Sequence, residues 1–293
     1  MCYESANPSI ISCTISNNIA AWGGGIYVDS SHPTIKNCTF ISNEGICVGG
    51  GMSCEYSNSK LTNCIFSGNS SDSASGGGGG IYDFSSNLTL INCIFSGNSA
   101  ANGGGMFTSE GNPRLINCTF SGNSGRKKGG GVYNGIYSNL TLINCILWDN
   151  RYEEIYIDND ATIMVTYSNV YGEDTWPGFG NINEDPLFAD PNNNDYHLKS
   201  QAGRWDPNLG TWTIDNVTSP CIDTGDPMYP IGHEPFPNGG RINMGAYGGT
   251  AEASKSYFGE PVCETIVAGD INGDCKVGFL DFRIMALHWL EER

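Results

Sequence analysis

Residues 269–282, GDINGDCKVGFLDF, hold the sharpest chemistry in this 293-residue sequence. Asp270, Asn272 and Asp274 stand at alternate positions of a candidate calcium loop. Lys276 would lend a backbone carbonyl and Asp281 a closing carboxylate. Alternating oxygen donors on a tight loop, closed by a carboxylate on a helix, suit a hard cation that takes six or more oxygens. The helix is expected over 280–293, with Phe282, Met285, Ala286 and Trp289 repeating on one face. Cys275 occupies the sixth loop position, where glycine normally makes the sharp turn.

A second constellation is aromatic and acidic. Tyr27, Tyr82, Phe107, Tyr133 and Tyr156 each follow an apolar residue that closes a glycine run or its equivalent, and Asp29, Glu55 and Asp158 stand two residues further on. In a strand these positions share the outward side. The pattern predicts an aromatic strip edged by acids that stacks against sugar rings. The other reading is an aromatic ladder that only stabilises the stacking of neighbouring chain turns.

Catalytic constellations are harder to find. The basic residues Lys36, Lys60, Arg114, Arg126, Lys127 and Lys128 have no evident carboxylate cluster beside them, and no nucleophile pairs by motif with His32, His197, His233 or His288. Asp185, Asp190, Asp195, Asp223 and Asp226 admit a carboxylate-site reading, but recurrent Asp-Pro pairs favour turn chemistry. Enzymatic activity therefore stays open, with the balance against it.

The elements that position these groups come from a repeat. Units begin at Asn7, His32, Asn58, Asn87, Asn112 and Asn139, with a degenerate seventh at Thr162, at steps of 23 to 29 residues. One column reads Cys13, Cys38, Cys64, Cys93, Cys118 and Cys145, and two residues later come Ile15, Phe40, Phe66, Phe95, Phe120 and Leu147. Asn18, Asn43, Asn69, Asn98, Asn123 and Asn150 form a third column. This period suits β-solenoid coils, which stack like residues about 4.8 Å apart. Leu90, Cys93 and Phe95 share an inward side only if a left-handed corner falls at Asn92. The cysteine column then reads as buried free thiols, because stacked side chains pointing the same way lack disulfide torsion. Cys47 with Cys54, and Cys263 with Cys275, remain candidate bridges.

On the motifs FSGN and GGGI or GGGM, the chain resembles the right-handed parallel β-helix superfamily that includes pectate lyases, and most closely the repeats of chlamydial polymorphic outer membrane proteins. The resemblance implies an all-β solenoid of about seven or more rungs over residues 1–171, then terminal coils and a loop-rich cap over 172–258. DPLF, SPCID and GAY resemble closing segments of secreted β-helices, the first two as strands. Residues 259–293 resemble half of a type I dockerin, implying calcium as cofactor and a cohesin-like partner. The superfamily holds polysaccharide lyases and glycosidases as well as non-catalytic adhesins.

Charge narrows the partners. The net charge is −17, with 8 acidic and 6 basic residues before residue 150 and 23 and 8 after it. Without a basic stripe, nucleic acid is an unsuitable partner. No run of about 18 apolar residues spans a membrane. The repeat is under way by Asn7, and the opening MCYESANPSI lacks a charged and apolar leader. The expectation is an extracellular or cell-surface monomer that binds polysaccharide, its export signal lying upstream.

Overall fold

The computed structural model describes every residue except 1, 3–4, 75–76, 258–276 and 290–293. Two compact units result, one formed by residues 1–184 with 244–246, the other by 185–243 with 247–293. The first is a right-handed parallel β-helix of about six turns. Each turn contributes short strands to four sheets. Thr89–Ile91, Ile94–Ser96, Ser99–Asn102 and Met106–Ser109 show one turn in order. Stacked turns give parallel sheets of seven, seven, five and six strands.

Single left-handed residues make the corners. Asn37, Asn63, Asn92, Asn117 and Asn144 have φ between 48° and 54°, as the sequence pattern requires. A second corner uses Asn17, Ser42, Gly68, Gly97, Gly122 and Asp149, and a third the glycines Gly23, Gly49, Gly78, Gly103 and Gly129. Each corner rephases the side-chain alternation, so residues three apart across it can both face inward. Gly51, Gly80 and Gly105 are required for another reason. A Cβ there would lie 2.7–2.9 Å from Phe66, Phe95 and Phe120.

The interior consists of ladders. Phe40, Phe66, Phe95 and Phe120 are fully buried, with adjacent rings parallel within 4° at centroid separations of 4.3–4.9 Å. Cys38, Cys64, Cys93, Cys118 and Cys145 are buried free thiols whose Sγ atoms donate to carbonyls two residues earlier at 3.2–3.4 Å. Cys47 and Cys54 are also free, one exposed and one buried, so the bridge considered for them does not form. Cys263 and Cys275 lie outside the described residues.

The asparagine column is a continuous hydrogen-bonded ladder. The Nδ2 groups of Asn18, Asn43, Asn69, Asn98 and Asn123 donate to Oδ1 of the next asparagine at 2.8–3.0 Å. The backbone N–H groups of the same residues donate to those Oδ1 atoms at 2.9–3.1 Å. Buried polar groups are thereby satisfied by the same residue type in each turn.

The second unit has little regular structure. Phe188–Asp190 pairs antiparallel with Asp195–Leu198, and Arg204–Asp206 with Thr211–Thr213. Of DPLF, residues 185–188, only Phe188 lies in a strand, Leu187 being left-handed, and SPCID, residues 219–223, forms turns rather than the expected strand. There Ser219 Oγ accepts the Cys221 N–H at 3.1 Å, a local bond that competes with strand pairing. Helix Phe279–Trp289 begins one residue before the expected start. Its Phe282 and Met285 are exposed.

Candidate functional site

The fourth sheet brings the predicted aromatic residues into one strip. Successive ring centroids of Tyr82, Phe107, Tyr133 and Tyr156 lie 5.1, 4.8 and 4.9 Å apart and stack. Tyr27 stands apart in the first turn because Ser53 interrupts the column, and its ring tilts against Trp22 at 5.9 Å. Stacking at this spacing covers the internal ring faces, leaving half-buried edges and phenol oxygens along the strip. Asp29 and Glu55 are opposite one another in register. Burial, then the Asp29 charge, pushes the Glu55 carboxyl above its usual range, against a hydrogen bond from Tyr27.

At the strip's far end, Tyr133 donates its phenol hydrogen to Asp158 Oδ2 at 2.7 Å, which holds the Asp158 carboxyl low. Lys128 Nζ donates to the Tyr156 phenol oxygen at 2.5 Å and lies 4.0 Å from that ring's centroid. The neighbouring basic residues are tied to backbone. Arg126 donates to the Ser71 and Asp72 carbonyls and Lys127 to that of Ala74, at 2.6–3.3 Å. Arg126 also pairs with the Asp72 carboxylate at 3.6 Å, both side chains being exposed.

Sequence reasoning missed a cavity. It has a volume of about 490 Å³ and is lined by Tyr152, Glu153, Glu154, Tyr171, Glu173, Asp174 and Trp176, with Asn150, Ile155 and Gly172. The glycine run vanishes in this turn. Counting back from the paired Val132 and Ile155, Tyr152, Glu153 and Glu154 replace Gly129, Gly130 and Gly131. Tyr152 keeps the left-handed backbone of the glycine column, with φ of 84°. The other wall begins at Tyr171, directly after the last strand of the second sheet, Asn169–Val170. The visible signal was the substitution of RYEEIY for a glycine run; its spatial partner YGEDTW has no repeat spacing.

Glu154 joins this cavity to the asparagine ladder. Its Oε1 accepts the Asn150 N–H at 3.0 Å and its Oε2 accepts from Asn150 Nδ2, so the carboxyl takes the place of a seventh asparagine. Burial pushes it up to about 7, against the hydrogen bonds from Asn150.

The remaining acids divide by environment. Asp185, Asp206 and Asp226 accept backbone N–H groups two residues ahead at 2.9 Å, the turn chemistry expected of Asp-Pro pairs. Asp195 is different. Burial pushes its carboxyl up, but hydrogen bonds from His197 and the Arg204 charge hold it low. His197 Nδ1 lies 2.6 Å from Asp195, and its ring stacks on Tyr247 at 3.6 Å, within a buried network. Asp83, which the outward-facing pattern passed over, points inward and is fully buried, accepting from Thr108 Oγ1 at 2.9 Å.

Of the calcium-loop residues, Asp270, Asn272, Asp274 and Lys276 lie outside the described residues. Asp281 is buried and its Oδ2 accepts the Gly278 N–H at 2.6 Å. Among the described residues, no group of three or more His, Cys, Asp or Glu side chains is placed to hold a metal, and no helix is long and apolar enough to cross a membrane.

Residues 100–225 match the family described as disaggregatase related. Residues 12–29 and 63–83 match the Chlamydia polymorphic membrane protein repeat. No curated protein and no solved structure matches the chain. The repeat matches fall on the turns that carry the cysteine, phenylalanine and asparagine columns, in accord with the β-helix. The disaggregatase-related match contains every residue lining the cavity.

Proposed function

We propose that this chain is a cell-surface or secreted β-helix protein that binds extracellular polysaccharide. The cavity between residues 150 and 176 is the principal site, and the polar edge of the aromatic strip is a second contact surface. The observation that carries the reading is the lining itself. Three aromatic side chains and four carboxylates converge on one concavity of ligand-binding size, and sugars present both apolar C–H faces and hydroxyl donors. The kinship of two turns to a membrane-protein repeat supports a surface location. Calcium bound at Asp270, Asn272, Asp274, Lys276 and Asp281 would stiffen the tail. The exposed apolar residues Phe279, Phe282 and Met285 of its helix suit attachment to a cohesin-like partner.

Affinity electrophoresis through gels containing a panel of extracellular polysaccharides tests the reading. Retardation by at least one polysaccharide is expected. Tyr152→Ala with Tyr171→Ala should weaken it tenfold or more, about 1.4 kcal/mol or above for two lost stacking surfaces. Both side chains are well exposed, at 65% and 57%, so the fold should tolerate the change. Undiminished retardation in the double variant would reject the cavity as the site. A lyase or glycosidase reading is favoured by one feature, the Glu154 carboxyl pushed up to about 7 beside other carboxylates. Its mark would be release of reducing ends or unsaturated uronates that Glu154→Gln abolishes. The two Asn150 hydrogen bonds to that carboxyl argue for a structural role, and no turnover is expected.

A further inference from the structure

The charge of the cavity lining names a class of sugar. Glu153, Glu154, Glu173 and Asp174 line the cavity, and no Lys, Arg or His does. Glu173 and Asp174 are exposed and make no hydrogen bond or ion pair with any described residue. Lys128, the basic residue at the end of the aromatic strip, is engaged by the Tyr156 phenol. A concave surface lined by one sign of charge concentrates field and attracts the opposite sign. Tyr152, Tyr171 and Trp176 add ring faces, which attract cations through their quadrupoles.

Resting on the polysaccharide reading above, we propose that this cavity selects ammonium-bearing sugars, the units of a polysaccharide whose amino groups are free. A uronate would bring one more negative charge beside the Glu153, Glu173 and Asp174 carboxylates, Glu154 being held by Asn150 and carrying its proton below about 7. A neutral or N-acetylated sugar would gain nothing from Glu173 and Asp174 beyond ordinary hydrogen bonds. A protonated amino sugar satisfies both sets of groups, its ammonium among the carboxylates and its ring against the aromatic side chains. The departure from the repeat points the same way. Three successive glycine positions have become Tyr152, Glu153 and Glu154, and the tyrosine holds a backbone conformation that favours glycine.

The test is calorimetric titration of the full chain at pH 6 in EDTA, with glucosamine trimer, its fully N-acetylated counterpart, a neutral glucose trimer and galacturonate trimer. Glucosamine trimer should bind at least tenfold more tightly than the acetylated or neutral trimers, and galacturonate should not bind. The preference should vanish in 1 M NaCl and in Glu173→Gln with Asp174→Asn, two exposed positions whose change leaves packing intact. Equal affinity for free and acetylated trimers would overturn the proposal while leaving polysaccharide binding standing. Failure of every trimer, together with failure of the gel panel, would remove both. Glucosamine binding unchanged in the double variant would reflect attraction to the net charge of −17 and would also overturn it.

Discussion

At the scale of single residues, the end of the asparagine ladder depends on ionisation. In each earlier turn a neutral amide oxygen accepts two N–H groups, whereas at Asn150 the acceptor is the Glu154 carboxyl, pushed up to about 7 by burial. A carboxyl whose pKa is higher folded than unfolded keeps its proton in the native state between about 4.5 and 7, where the unfolded chain has lost it. Stability from this group is therefore greatest at low pH and is lost as pH rises through 7, by up to about 3 kcal/mol. Glu234, also pushed up to about 7 by burial, adds a slope of the same sign. Glu154→Gln should raise stability at pH 8 and flatten its fall between pH 5 and 8, leaving the Glu234 part. Urea unfolding across that range checks this, and an unchanged slope in the variant would contradict it. Glu154 was illegible in the sequence, where it is one of two adjacent glutamates. Its role follows from the phase of the turn, which brings the carboxyl onto the Asn150 N–H and Nδ2 groups.

At the scale of elements, residue columns were legible wherever one chemistry recurs at every turn. The cysteine, phenylalanine and asparagine positions, and the corner at Asn92 and its equivalents, follow from spacing, because stacking places identical side chains in identical surroundings. The corner after the fourth sheet was not legible. Ser30, Tyr56, Ser85, Glu110 and Tyr137 share its left-handed conformation but no residue type, so the stacked backbone imposes the geometry. The aromatic strip was legible as a column, yet its rings stack on one another because 4.8 Å per turn is also a ring-stacking distance. The same repetition makes the asparagine ladder a calibrated stability probe. Asn98→Ala would strip the Asn69 N–H and Nδ2 of their acceptor, and the Phe66 carbonyl and Asn123 Oδ1 of a donor. Several buried groups losing partners should cost roughly 3–5 kcal/mol. Asn18→Ala, at the exposed first turn, removes no acceptor from a buried neighbour and should cost under about 1 kcal/mol. Denaturant unfolding of the two variants compares them directly, and similar losses would show that the ladder does not act as a cooperative buried network.

At the scale of the whole molecule, legibility falls where repetition ends. The second unit offers no column to align, so Asp195 stood out only as one of several candidate carboxylates, and its pairing with His197 and Arg204 emerged only in three dimensions. Charge follows the same division, with 23 of the 31 acidic residues beyond residue 149. Two effects of added calcium must therefore be separated: screening of a net charge of −17, which any salt provides, and occupancy of one loop. Asp281 is a poor probe of the second. Its carboxylate accepts the Gly278 N–H beside the start of helix Phe279–Trp289, where an acid also favours the helix dipole, so removing it would weaken the helix with or without a cation. Asp270, at the first loop position, separates the effects cleanly. Calorimetric titration with calcium should give one saturable site that Asp270→Ala abolishes, while sodium at matched ionic strength gives no saturable heat. Magnesium should bind more weakly, since it demands near-octahedral geometry and gives up water reluctantly. Saturable heat that survives Asp270→Ala would place the calcium elsewhere in the acidic half and would end the case for the loop.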